Sequence, residues 1–209
     1  MRHLKIAALV SGSGRNLQSI FDAIKTDRLD AEVSVVIASR PGILALQRAE
    51  RCHVPALVIA RKHYGKDIAG FSQAIAQALQ PYSVDLILLC GFLSFLSPDF
   101  CDAYKERIFN IHPSLLPAFG GKGAYGANVH QMVLEYGAKI SGCTVMYVDA
   151  GEDTGPIILQ KAVPVLEDDT ADTLEARVMQ AEQAAYPEAV RYFGEGRLLV
   201  EGRHVWIKA

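Results

Sequence analysis

Asn110 and His112 stand two residues apart in FNIHPSLLP (109–117). If residues 107–112 form a strand, alternation puts both side chains on one face and sends Ile111 to the other. Pro113 keeps His112 extended at the strand's end, because a residue before proline avoids the helical region. An amide donor beside an imidazole at a strand terminus can stabilise a developing oxyanion and manage a proton. Either residue alone would more often be a satisfied structural side chain.

A second candidate is YVDAGEDTGP (147–156), where a strand runs into a glycine-rich acidic turn and another strand leaves at Pro156. Such a turn is by default solvated. It matters to chemistry if one of its carboxylates meets His112, whose protonated form it would favour. A third is SGSGRN (11–16), between an apolar run and an amphipathic segment. It is either a plain tight turn or an anion site, where free N–H groups and the positive end of a helix hold a phosphate. Arg15 and Asn16 add donors at the start of the helix. It is not a Walker loop, since no Gly-Lys-Ser/Thr follows, and Leu17 replaces the third glycine of G-x-G-x-x-G.

These residues need a scaffold, and the hydrophobic pattern supplies one. Residues 4–10, 33–38, 56–59 and 84–90 read as strands. Helical spacing marks 16–25, 43–51 and 68–79, the last stopped before Pro81. This alternation predicts a doubly wound, mainly parallel α/β sheet, Rossmann-like, whose carboxyl strand ends gather along one ligand-binding edge. The second half reads as strands at 107–111, 141–148 and 157–165, helices at 129–136 and 171–192, and a terminal hairpin (198–200 with 204–207) that covers an edge. We expect a single domain over 1–209, with a phosphate-binding half (1–106) and a mixed catalytic half (107–209).

Composition narrows the class. The chain has 209 residues and a formal net charge of -2, so no basic excess suggests a nucleic-acid or anionic-membrane binder. Cys52, Cys90, Cys101 and Cys143 are scattered without zinc spacing, and are expected to be buried, reduced thiols of a cytoplasmic protein. The N-terminal apolar stretch is too short for a signal peptide or membrane span.

The segments SGSGRNLQ (11–18), GFLSFLSP (91–98), NIHPSLLPAFGGKG (110–123), GCTV (142–145), DTGPIILQ (153–160) and ARVMQAEQAAYP (176–187) resemble the phosphoribosylglycinamide formyltransferase family nearly end to end. The Asn-Ile-His-Pro-Ser-Leu-Leu-Pro motif belongs to the wider formyltetrahydrofolate-using superfamily, and the glycine turn narrows it to this branch. The resemblance implies 10-formyltetrahydrofolate as co-substrate, glycinamide ribonucleotide as acceptor, no metal, and a monomer or homodimer. Asn110 would hydrogen-bond the formyl oxygen. His112, protonated, would stabilise the oxyanion and act as general acid, with Asp153 pairing with it and relaying a proton. Gly14, Arg15 and Asn16 match the phosphate-holding segment, and Glu182 the acid that binds the ribose hydroxyls. Leu93, Ser94, Phe95 and Leu96 would contact the pterin ring, opposite Val148, Asp149, Ala150, Gly151 and Glu152. Residues 119–130 correspond to a mobile loop over the site.

The chain departs from the family in places. Many relatives carry histidine where Met146 stands, and some carry arginine at the position of Ser94 and within 64–68, where Lys66 is the candidate substitute. These changes bear on folate affinity more than on reaction type. Among alternatives, a methionyl-tRNA formyltransferase is expected to bring a further RNA-binding domain, and a formyltetrahydrofolate hydrolase an N-terminal regulatory one. An amino-sugar formyltransferase has no reason to keep SGSGRNLQ. A silent binding module has no reason to keep Asn110, His112 and Asp153 together. A dinucleotide redox enzyme would want an acid after the second strand, where Ser39-Arg40 stands.

Overall fold

The apolar run Leu4–Val10 forms β1, and its alternation divides the interior in two: Ile6, Ala8 and Val10 face one core, Ala7 and Leu9 the other. The computed structural model describes residues 3–209. After β1 the chain alternates α1 (Arg15–Lys25), β2 (Ala31–Ala38), α2 (Leu44–Arg51), β3 (Ala56–Val58), α3 (Ile68–Leu79) and β4 (Leu86–Cys90). It continues through α4 (Pro98–Ala103), β5 (Ile108–His112), α5 (Ala127–Tyr136), β6 (Ile140–Tyr147), β7 (Ile157–Pro164) and α6 (Ala171–Gly194) to the hairpin β8 (Leu198–Glu201) and β9 (His204–Ile207).

Seven strands make one sheet in the order β3-β2-β1-β4-β5-β6-β7. Neighbours from β3 to β5 pair parallel, while β5–β6 and β6–β7 pair antiparallel. This is the expected α/β architecture, parallel in the first half and mixed in the second. The connectivity reverses between β1, which leads outward to β2 and β3, and β4, which leads toward β5. Such a switch point opens a crevice at the carboxyl strand ends. Ser11, just past β1, donates its N–H to the Gly91 carbonyl just past β4 at 3.2 Å, so the two loops flanking the crevice touch at its floor.

Helix α6 holds the two halves together. Tyr186 is fully buried, and its hydroxyl lies 3.0 Å from the carbonyls of both Leu89 on β4 and Phe109 on β5. The hairpin packs beside β7, the last strand of the sheet, as expected for an edge cover.

Two expectations need correction. Hydrophobic periodicity did not mark α4, because six residues are too few to show a helical period. Its caps were visible: Ser97 accepts from the Phe100 N–H at 3.3 Å, and Pro98 occupies the first turn. Cys52 is exposed at the end of α2, unlike the other three free cysteines.

Candidate active site

The glycine turn is built by close approach. Gly14 has φ +71°, and a Cβ there would lie 2.8 Å from the Ala45 Cβ of α2, so only glycine fits without strain. The turn is tied down by Ala45 N–H to the Gly12 carbonyl (3.2 Å), Arg48 Nε to the Ser13 carbonyl (2.8 Å) and Arg40 Nε to the Ser11 carbonyl (2.6 Å). Buried Ser11 Oγ lies 2.7 Å from Ser39 Oγ and accepts the Leu93 N–H at 2.9 Å. Ser39 and Arg40, at the end of β2, are therefore used in supporting this turn. Helix α1 begins at Arg15 with no side-chain cap, and Gly14, Arg15 and Asn16 line the crevice, so no capping side chain competes with an anion for the first N–H groups.

Below this turn, Asn16 Nδ2 donates to Glu182 Oε2 at 3.0 Å. Glu182 is buried on α6, and burial raises its carboxyl to about 7, against the lowering effects of the Asn16 hydrogen bond and the Arg15 charge. Asn16 Oδ1 is buried with no hydrogen-bond partner among the described residues. Arg15 itself forms an ion pair with Glu175, one turn into α6.

At the end of β5, Asn110 and His112 line the crevice together. Across the β5–β6 ladder Asn110 pairs with Met146 and His112 with Thr144, so the methionine noted above sits directly beside the amide. His112 is buried; its Nε2 donates to the Phe119 carbonyl at 2.9 Å, and its Nδ1 lies 3.4 Å from Asp153 Oδ2. The chain between His112 and Phe119 is held by Thr144, whose hydroxyl donates to the Ser114 carbonyl (2.7 Å) and accepts the Leu116 N–H (3.0 Å). The Leu116–Pro117 bond is cis.

The acidic turn divides its labour. Asp149 braces it, accepting from Gly151 N–H at 3.0 Å and Thr154 Oγ1 at 2.6 Å. Glu152 is exposed. Asp153, at φ +55°, is the carboxylate turned to His112, and it also accepts the Gly121 N–H at 3.1 Å. Arg203 on the hairpin turn donates to the Thr154 carbonyl at 2.9 Å, which anchors the acidic turn from outside.

Every residue expected at the site lines one cavity of about 650 Å³: Gly14, Arg15, Asn16 and Glu182, together with Asn110, His112 and Asp153 and the segments 93–96 and 148–152. Leu93 and Phe95 are well exposed there, an apolar surface suited to a flat ring. Lys66 is exposed and does not line the cavity, so it does not stand in for the arginine of relatives.

The structure adds residues that the sequence pattern did not single out. Glu175 and Met179 join Glu182 on the inner face of α6 at helical spacing, a signal available once Glu182 is placed inward. His130 lies in the first turns of α5, which starts ahead of the expected residue 129. It is buried, lines the cavity, and its Nδ1 has no partner among the described residues. Burial lowers its pKa below the ordinary 6.5, opposed by Glu175.

Fold and site together define an α/β enzyme with an amide, an imidazole and a carboxylate gathered at its carboxyl strand ends. The chain belongs to the formyl transferase family, whose sequence profile matches residues 4–190. It is 40% identical over 205 residues to the trifunctional purine biosynthetic protein adenosine-3 of Gallus gallus, covering 97% of this chain and 20% of that protein. The chain thus spans about a fifth of that relative's length. It is 38% identical over 187 residues to the phosphoribosylglycinamide formyltransferase of Bacillus subtilis (strain 168), covering 90% of this chain and 93% of that one. The crystal structure of glycinamide ribonucleotide transformylase 1 from Symbiobacterium toebii superposes with a TM-score of 0.93 at 46% identity, over 99% of this chain and 95% of that one.

Proposed function

We propose that this chain transfers the formyl group of 10-formyltetrahydrofolate to the amine of 5'-phosphoribosylglycinamide, in purine biosynthesis in the cytoplasm. The observation that carries this is the continuity of one cavity from the uncapped start of α1, past Glu182, to Asn110, His112 and Asp153. A phosphorylated ribose seated at the first end directs its amine toward the second. The exposed Leu93 and Phe95 opposite 148–152 suit the ring of a folate.

In this reading the amine attacks the formyl carbon directly. Asn110 donates its amide hydrogen to the formyl oxygen as that oxygen gains charge. His112 supplies positive charge to the oxyanion and then gives a proton to the departing folate nitrogen. The Nε2 proton, accepted here by the Phe119 carbonyl, is the one delivered, which requires the 119–126 loop to release it. Asp153 holds the imidazolium through Nδ1 and takes up, through water, the proton lost by the attacking amine.

The test is release of tetrahydrofolate by the purified chain with glycinamide ribonucleotide, an amino sugar, methionyl-tRNA or water as acceptor. Turnover is expected with glycinamide ribonucleotide alone. Formyl loss at the same rate without any amine would instead mark a hydrolase.

A further inference from the structure

Arg15 carries the sole lysine or arginine side chain lining the cavity among the described residues, and five carboxylates line it as well: Asp149, Glu152, Asp153, Glu175 and Glu182. A phosphorylated substrate brings further negative charge into this space. Yet the one guanidinium is already paired with Glu175. The pair spans from the first residue of α1 to the second turn of α6, across the place where the α1 N-terminus faces the cavity.

We propose that Glu175 is an internal stand-in for the substrate's phosphate, holding the Arg15 guanidinium until a phosphate monoester dianion displaces it. The proposal deepens the function proposed above and rests on its phosphate-binding end. Three features favour displacement. The Arg15 and Glu175 side chains are 45% and 22% exposed, so their attraction is screened and weak. A phosphate offers the guanidinium fork a bidentate partner with more charge than a carboxylate. It also collects the α1 N–H groups and helix dipole, which the Glu175 carboxylate, hydrogen-bonded among the described residues to the Arg15 side chain alone, does not use.

Glu175 is also poorly placed to stay once phosphate arrives. It already acts on buried Glu182 as a like charge, raising its pKa. A dianion beside it would add to that repulsion, so the carboxylate must leave the guanidinium. Glu175 then acts as a specificity element. A ligand without a dianionic group displaces it less readily, and so meets the ion pair more often than a free arginine.

The proposal is tested by calorimetric titration of inorganic phosphate into the full-length chain, as wild type, Glu175→Gln and Arg15→Gln. Glu175→Gln should bind phosphate about fivefold more tightly, the loss of one weak competing pair, and Arg15→Gln should bind it more weakly than wild type. In formylation assays the KM of Glu175→Gln for glycinamide ribonucleotide should fall by a similar factor. Glutamine is a good helix former at this position, and Glu175→Ala serves as a second variant with the same expected direction. Unchanged or weaker phosphate binding by both Glu175 variants would overturn the proposal, assigning Glu175 a role in orienting Arg15. Because the titration needs no turnover, tighter phosphate binding without formylation would count against the proposed function alone.

Discussion

Nδ1 of His112 faces Oδ2 of Asp153 at 3.4 Å while Nε2 of the same ring donates to the Phe119 carbonyl at 2.9 Å. Both nitrogens thus meet acceptors, and only the doubly protonated ring can donate to both. We expect His112→Ala, Asn110→Ala and Asp153→Asn each to lower kcat by about a hundredfold or more, the usual cost of removing one such electrostatic group. Asparagine suits position 153 because it tolerates the left-handed backbone there, at φ +55°. Steady-state kinetics with circular dichroism on the same samples checks this. Near-normal turnover by folded His112→Ala would remove it from the chemistry.

Glu182 links the site to stability. Its carboxyl titrates at about 7 in the folded chain against an ordinary 4.5, chiefly through burial. Between those values the folded chain keeps a proton that the unfolded chain has released, so stability falls as pH rises through this window. By pH 8 the deficit is roughly 3 kcal/mol. Glu182→Gln, which keeps an acceptor for Asn16, should therefore melt at higher temperature than wild type at pH 8, with the gap closing toward pH 4.5. Its KM for the ribonucleotide should rise. A melting-temperature difference that ignores pH would contradict the origin assigned to the shift.

Gly14→Ala probes the turn. It places a side chain at φ +71° and a Cβ 2.8 Å from that of Ala45, a combination expected to cost roughly 1–3 kcal/mol. Thermal melting should show the loss, and the ribonucleotide KM should rise as α1 shifts. A variant with wild-type melting temperature and KM would mean that α2 gives way freely.

What the sequence determined is local in origin. The nearly continuous apolar runs at 4–10 and 84–90 were enough to read buried parallel strands, because a strand covered on both faces of the sheet keeps few polar residues. The two-residue period of a strand put Asn110 and His112 on one face of β5, and Pro113 ended the strand beside them. The glycine turn was legible because only a few residue types tolerate its backbone. Helix α4 escaped, being shorter than its own period could reveal.

The tertiary structure decided which distant groups meet. The acidic turn offered three carboxylates, and nothing in their order distinguished Asp153 from Asp149 and Glu152; the left-handed backbone at 153, the Gly121 N–H and the Arg203 anchor chose it. Arg15 read as a free donor until α6 brought Glu175 to it, and His130, where the expected loop and helix overlapped, was seen to face the cavity only once α5 was in place. Glu182 could be placed only by likeness to relatives, since its burial depends on α1 and α6 packing together on one face of the sheet. Periodicity records what each segment buries, whereas partners across the chain are set by sheet order, turn geometry and helix docking, which act between segments and leave no local trace.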